Sequence, residues 1–170
     1  MYILGRLNLN GQCISVAKEY APDKVTVDAK SFKAAIERKK ASGKTVKAAM
    51  TFPASNHDLW IRYWLAAAGI DPDKDIETIV VPPPQMVANM KVGTMDCFCV
   101  GEPWNSIAVD RGVGRIALAT AQIWRRGVEK VLTFRQDWLE ANGDAVDRLV
   151  RAFAAAAAWC DAPDNHASLA

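Results

Sequence analysis

The chain has 170 residues, the usual length for one compact domain or for two small lobes. Hydrophobic residues make up 51% of it and charged residues 24%, a composition that excludes an intrinsically disordered chain. The 21 basic and 19 acidic residues leave a net charge of only +2 and form no basic stripe, so we expect no nucleic-acid binding. No apolar run approaches the roughly 18 residues of a membrane-spanning helix, and the N-terminal segment has no pattern of a secretory signal.

Strand-like and helical patterns alternate along the chain from residue 30 onward. An apolar stripe of Phe32, Ala35 and Ile36 predicts a helix that ends at Gly43. The sequence predicts strands over residues 46–52, 76–81, 94–100 and 130–134. Helices of about 10–15 residues between such strands are typical of βαβ units, so we predict an α/β fold with a mostly parallel sheet.

The second predicted helix begins at Ser55 or Asn56, either of which can cap it, and ends at Gly69. Asp58 and Arg62 have the spacing of an i,i+4 ion pair on its outer side. We expect five apolar residues on its core-facing side: Leu59, Trp60, Tyr63, Trp64 and Ala67.

Further helices are predicted after Pro82–Pro84, after residues 101–104, and as a pair after the strand at 130–134. One follows Pro82–Pro84 and turns Met86, Val87 and Met90 towards the core. The last runs over about residues 144–159 and is followed by a frayed tail. Its predicted apolar face consists of Val146, Leu149, Val150, Phe153 and Ala157.

The four cysteines do not have the spacing of a zinc site or of a disulfide framework. Cys97 and Cys99 form one Cys-x-Cys, while Cys13 and Cys160 stand alone, whereas structural zinc sites use pairs separated by two to four residues. Cys97 and Cys99 would share one face of a strand. We therefore expect buried thiols and no bound metal.

Three polar residues stand at places where a ligand could be bound. His57 lies just inside the second helix, where the helix dipole favours an anion. Gln12 follows the turn-rich stretch 8–11, and Lys130 begins a strand. From local pattern alone each also has an ordinary role, as a helix cap, a turn amide and a solvated surface charge.

Catalytic motifs are missing. The sequence contains no Gly-x-Ser-x-Gly, no His-Glu-x-x-His, no phosphate-binding loop and no Gly-x-Gly-x-x-Gly after a strand. His57 and His166 are its two histidines, so acid–base catalysis has few candidates. We predict that the protein is not an enzyme.

Three segments of the chain, residues 51–65, 82–90 and 98–105, resemble the nitrate- and bicarbonate-binding proteins of ABC importers. They read Thr-Phe-Pro-Ala-Ser-Asn-His-Asp-Leu-Trp-Ile-Arg-Tyr-Trp-Leu, Pro-Pro-Pro-Gln-Met-Val-Ala-Asn-Met and Phe-Cys-Val-Gly-Glu-Pro-Trp-Asn. The resemblance implies a type II periplasmic binding protein, whose two α/β lobes close over a small anion. It also implies a role in import together with a permease and an ATPase, in the periplasm or at the outer face of the inner membrane.

The resemblance assigns ligand contacts to four residues. They are His57, Gln12, the backbone amide of Gly101, and Lys130. The ligand-contacting Trp of the family lies upstream of the Asn-Gly-Gln stretch and has no counterpart here. Members of the family are more than twice as long as this chain, so we expect a fragment that holds the second lobe and part of an incomplete first lobe, with an exposed apolar surface where the missing part would pack.

This expectation divides the chain into four segments. Residues 1–12 would be a crossover from the missing first-lobe region, 13–101 the second lobe, 102–160 a return into the first lobe, and 161–170 a frayed tail.

The chemistry of the four contacts suits nitrate, which is planar and only accepts hydrogen bonds. A His, a Gln amide, a Gly N–H and a Lys ammonium all donate. The bicarbonate-binding branch uses an acidic residue with calcium where Lys130 falls, and Glu129 is adjacent, so calcium-dependent bicarbonate binding stays open. A cytoplasmic nitrate/nitrite sensor that sequesters a regulatory partner is a third alternative, since four cysteines without a disulfide pattern suit that compartment.

Overall fold

A computed structural model describes residues 1–169 and divides them into two compact units. Residues 10–127 form the larger unit, and residues 1–9 together with those from 128 onward form the smaller one. The strands in the described residues are β1 (Tyr2–Leu9), β2 (Gln12–Ala17), β3 (Val46–Met50), β4 (Ile76–Val80), β5 (Cys97–Gly101), β6 (Gly114–Ala119) and β7 (Val128–Phe134). The α-helices of the same range are α1 (Lys30–Ala41), α2 (Asn56–Ala67), α3 (Pro83–Lys91), α4 (Trp104–Asp110), α5 (Gln136–Ala141), α6 (Gly143–Asp161) and α7 (His166–Leu169).

The larger unit is built on a five-stranded sheet in the order β4-β3-β5-β2-β6. β3 runs parallel to β4 and β5, whereas β2 runs antiparallel to both of its neighbours, β5 and β6. The ends of β3, β4, β5 and β6 and the start of β2 therefore lie along one edge, which we call the carboxyl edge. The predicted α/β fold is confirmed; four of the five strands of this sheet run in one direction, but two of its four pairings are antiparallel.

The core of this unit lies on both faces of the sheet. Cys97, Phe98 and Cys99 alternate between the two faces, yet all three are fully buried. Phe32 of α1 stacks on Trp64 of α2 at a ring distance of 5.5 Å. The predicted core faces of α1 and α3 are confirmed, because Phe32, Ala35, Ile36, Met86, Val87 and Met90 are all buried.

The predicted core face of α2 is wrong in part. Ile61, Trp64 and Leu65 are buried, whereas Leu59 is 55% exposed and Tyr63 is 63% exposed. Asp58 and Arg62 do pair, but Asp58 is buried rather than on the outer side. Burial is tolerated because the Asp58 carboxylate accepts hydrogen bonds from the Ala54 N–H and the Arg62 Nε, at 2.9 and 2.8 Å.

The predicted boundary after residue 101 differs from the division in the structure. β6 lies beyond that boundary but pairs with β2 from Cys13–Ala119 to Ala17–Gly114. Because a sheet edge strand is held by its ladder, α4 and β6 belong to the larger unit, which extends to residue 127.

The smaller unit consists of the antiparallel pair β1–β7 with α5, α6 and α7. The sequence pattern does not predict β1. Within the predicted frayed tail, 161–170, the structure has a short 3-10 turn (Pro163–Asn165) and α7, and Ala170 lies outside the described residues. Val146 is the one apolar side chain of α6 that is buried. Leu149, Phe153 and Trp159 on the same helix are exposed, so this unit presents an apolar surface. No helix in residues 1–169 has the length and apolar character needed to cross a membrane.

Candidate functional site

Gln12 and Gly101 face each other across the ladder between β2 and β5. The Glu102 N–H donates to the Gly11 carbonyl at 3.1 Å, which makes the Gln12–Gly101 pair one of the non-hydrogen-bonded kind. The Gly101 N–H therefore points away from β2. On its other side β5 pairs with β3 only as far as Phe98, so this N–H lies past the last β3–β5 pair.

The backbone around Gly101 would accept a side-chain methyl group without a clash. A Cβ atom added to Gly101 would have the Gly11 carbonyl oxygen as its nearest neighbour, at 3.6 Å, an ordinary van der Waals distance. The local fold therefore does not itself require glycine here. A ligand that approaches the backbone amide would require it.

His57 is the second residue of α2, directly after β3 and its turn. The Ser55 side chain caps the helix by accepting a hydrogen bond from the Asp58 N–H at 3.3 Å. The imidazole Nδ1 lies 2.7 Å from the Thr51 hydroxyl, at the end of β3. The ring is thus fixed from the strand and from the helix.

Three of the four sequence-predicted contacts meet at the carboxyl edge of the larger unit. His57 follows β3, Gly101 ends β5, and Gln12 begins β2, and these strands are immediate neighbours in the sheet. The crevice outside the carboxyl ends of parallel strands is where open α/β sheets bind their ligands. The topology thus collects hydrogen-bond donors at the place where a ligand is expected.

Two supporting residues, Asn105 and Thr120, are not indicated by the sequence pattern. Asn105 is fully buried, accepts a hydrogen bond from the Ser15 hydroxyl at 2.8 Å and donates one to the Val100 carbonyl at 2.9 Å. The buried Thr120 hydroxyl donates to the Gln12 carbonyl at 3.1 Å. Asn105 lies inside the match at 98–105, but only the fold shows that it holds the end of β5 beside Gly101.

Lys130 lies on β7 of the smaller unit. Its side chain is 61% exposed, and its ammonium pairs with the carboxylate of Glu129. Its backbone N–H donates to the Asn8 side chain of β1 at 3.0 Å. The role that the resemblance assigns to Lys130 stays a prediction.

Cys13 lies at the carboxyl edge as the second residue of β2. Burial, and then the neighbouring charge of Glu102, raise the pKa of the Cys13 thiol to about 11, so it is protonated at neutral pH and a poor nucleophile. Within residues 1–169 no three His, Cys, Asp or Glu side chains form a group that could hold a metal ion.

Comparison with known proteins shows extended similarity to anion-binding proteins. The sequence profile of the NMT1-like family matches residues 1–170. The chain is 52% identical to the nitrate/nitrite binding protein NrtA of Synechococcus elongatus over 165 residues, 97% of this chain and 37% of that protein. It is 39% identical to the bicarbonate-binding protein CmpA of a Synechococcus species over 171 residues, 100% of this chain and 38% of that protein.

A solved structure agrees with these matches. The crystal structure of the periplasmic nitrate-binding protein NrtA from Synechocystis superposes with a TM-score of 0.89 at 50% identity, over 96% of this chain and 42% of that one. This chain therefore spans less than half the length of each of these relatives.

Proposed function

The chain belongs to the NMT1-like family and has part of a type II periplasmic-binding-protein fold, and from this we propose that it serves in the substrate-binding component of an ABC importer for nitrate or nitrite. The observation that carries the proposal is the 52% identity to a nitrate/nitrite binding protein across nearly the whole chain. The relatives NrtA and CmpA are named as binding proteins, which supports the expectation that this chain is not an enzyme.

The proposed ligand contacts are Gln12, His57 and Gly101 in the larger unit, together with Lys130 in the smaller one. Nitrate offers acceptors in one plane and no proton. An amide, an imidazole and a backbone N–H at one edge supply donors to such an ion, and a Lys ammonium would add charge. Lys130 rests on the resemblance alone.

Calorimetric titration tests this proposal. The protein is titrated with nitrate, nitrite, chloride and sulfate under identical buffer conditions. Saturable binding of nitrate or nitrite, with chloride and sulfate at least tenfold weaker, is the expected result. Sulfate or another divalent anion as the preferred ligand would contradict it.

Bicarbonate is the second candidate, because the chain is also 39% identical to a bicarbonate-binding protein. Bicarbonate carries an O–H, so its site needs an acceptor, and Glu129 is a carboxylate next to Lys130. The same titrations repeated with bicarbonate, in calcium and then in chelator, separate the two. Binding of bicarbonate only in calcium would favour this candidate.

The transport partners follow from the proposed role. We propose that the substrate-binding component acts at the outer face of the inner membrane with a permease and an ATPase. Reconstituted transporter should hydrolyse ATP faster when the nitrate-loaded protein is added. No stimulation by nitrate-loaded protein would favour the sensor alternative.

A further inference from the structure

Thr51 and His57 lie at the two ends of the turn that joins β3 to α2. Thr51 follows the last residue of β3, and His57 is in the first turn of α2. The hydroxyl oxygen of Thr51 lies 2.7 Å from the imidazole Nδ1 of His57. The turn between them is itself held, because Asp58 accepts from the Ala54 N–H and Ser55 accepts from the Asp58 N–H.

We propose that Thr51 is a positioning residue for the anion site: its hydroxyl engages Nδ1 of His57 and so presents Nε2, carrying a proton, to the ligand. The inference rests on the proposed function, which makes His57 a ligand contact. Because Nδ1 of His57 is in contact with the Thr51 hydroxyl, the ring nitrogen that contacts the anion is Nε2. Nitrate has no proton to donate, so Nε2 must be the donor.

A hydroxyl suits this position better than a stronger acceptor would. A threonine hydroxyl can donate to Nδ1 of a neutral imidazole, and in that arrangement the ring proton lies on Nε2. The same hydroxyl accepts from Nδ1–H when the ring is a cation, and Nε2 again carries a proton. A carboxylate or carbonyl could only accept, so a neutral ring would keep its proton on Nδ1 and turn a lone pair towards the anion.

The matched variants lie at the two ends of β3, with Thr45 directly before the strand and Thr51 directly after it. Thr51→Val keeps the shape and removes the hydroxyl, and Thr51→Ser keeps the hydroxyl and loses a methyl group. Thr45→Val makes the same change just before β3, at the opposite edge of the sheet. We expect Thr51→Val to weaken nitrate binding roughly 5- to 20-fold, the usual effect of losing one hydrogen bond at a binding site. Thr51→Ser and Thr45→Val should stay within about threefold of the unchanged protein.

Nitrogen NMR separates positioning from a loss of packing. The chain has two histidines, so the ¹⁵N-histidine signals are assigned with His166→Ala. In the nitrate complex the Nε2 shift should be that of a protonated nitrogen, and Thr51→Val should move the Nδ1 shift while Thr51→Ser restores it. An unprotonated Nε2 in the complex, or Nδ1 shifts and affinity unchanged by Thr51→Val, would overturn the proposal.

The experiment also distinguishes this inference from the proposed function. If the unchanged protein binds bicarbonate and not nitrate, the proposed ligand is wrong. The ring shifts in protein without ligand then still decide whether Thr51 holds His57: an Nδ1 shift moved by Thr51→Val and restored by Thr51→Ser supports the bond, and an unmoved shift refutes it.

Discussion

The imidazole of His57 lies at the N-terminal end of α2, where the helix dipole adds to its own donor. Removing one partner of a partly buried, charge-assisted hydrogen bond costs about 1–3 kcal/mol. We therefore expect His57→Ala to weaken nitrate binding by about 5- to 150-fold in calorimetry. His166→Ala, which removes the other histidine from the exposed α7, is the control. Equal affinities of the two variants would return His57 to a purely structural role.

Gly101 allows the fold and the ligand to be tested separately. Because an added Cβ would meet its nearest atom at 3.6 Å, we expect Gly101→Ala to change the free energy of unfolding by less than about 1 kcal/mol. The same methyl group would occupy the space through which an anion approaches the backbone N–H, so nitrate binding should fall at least tenfold. Gly143→Ala, where the structure leaves open space, is the control. A stable Gly101→Ala protein with full affinity would remove Gly101 from the site.

The buried faces of the helices show what the sequence pattern can and cannot predict. Helices with a simple apolar stripe, such as α1 and α3, were predicted correctly because burial on one face dictates their pattern. The apolar pattern of α2 predicts the wrong buried face, because the exposed side of the helix carries Leu59 and Tyr63 while its buried side carries the charged Asp58. Hydrophobic periodicity does not register a carboxylate that is buried together with its partners.

The candidate site was predictable only in part. The family resemblance of the Asn-Gly-Gln stretch predicts Gln12 as a ligand contact. Its cross-strand pairing with Gly101 depends on β2 running antiparallel to its neighbours in the sheet. No local pattern signals that reversal, because both strands that pair with β2, namely β5 and β6, lie far from it along the chain. Thr51 and Asn105 support the site through hydrogen bonds that only the folded chain forms.

Asn105 of α4 forms hydrogen bonds to β2 and to β5, so we expect its side chain to stabilise the packing of these three elements. Asn105→Ala leaves the buried Ser15 hydroxyl and the Val100 carbonyl without this partner. Each buried polar group left unbonded costs about 1–3 kcal/mol, so urea denaturation should show a loss of about 2–5 kcal/mol. Asn56→Ala, at an exposed position of α2, should cost less than about 1 kcal/mol. A comparable loss in both variants would contradict the role of the network.

A buried ionic cluster at the opposite edge of the sheet links the pH to the stability of the whole larger unit. The Asp96 carboxylate accepts hydrogen bonds from the Tyr20 hydroxyl at 2.6 Å and the Lys47 N–H at 2.7 Å, and it pairs with Lys39. Burial, and then the bond to Asp96 and its charge, raise the pKa of Tyr20 well above its ordinary value. The folded state therefore holds the Tyr20 proton more tightly than the unfolded chain.

That difference makes stability fall at alkaline pH. The contribution of Tyr20 is complete below the ordinary tyrosine pKa of about 10 and is lost as the pH rises above it. Urea unfolding between pH 7 and pH 11, under reducing conditions, should show a decline that is shallower in Tyr20→Phe. That variant should also be less stable at pH 7, since Asp96 loses a donor. A decline equally steep in Tyr20→Phe and in the control Tyr63→Phe would exclude Tyr20 as its source.

Lys130, on β7 of the smaller unit, allows a test of which anion is bound under the proposed function. An ammonium at the ligand repels a calcium ion and favours an anion that arrives without metal. If Lys130 contacts the ligand, nitrate should bind equally in calcium and in chelator. Lys130→Glu should abolish nitrate binding, because the anion would then meet a carboxylate, whereas Lys44→Glu makes the same charge change at an exposed site and should not.

The same titrations test the alternative that Glu129, and not Lys130, contacts the ligand. The Glu129 carboxylate pairs with Lys130, and a shift of one residue in the assignment would place it, with calcium, at the ligand. Bicarbonate binding that requires calcium, is lost in Glu129→Gln and survives in Lys130→Gln would assign the ligand contact to Glu129. Nitrate binding that is lost in Lys130→Gln and survives in Glu129→Gln would assign it to Lys130, because only the ammonium then supplies the charge that a metal-free anion needs.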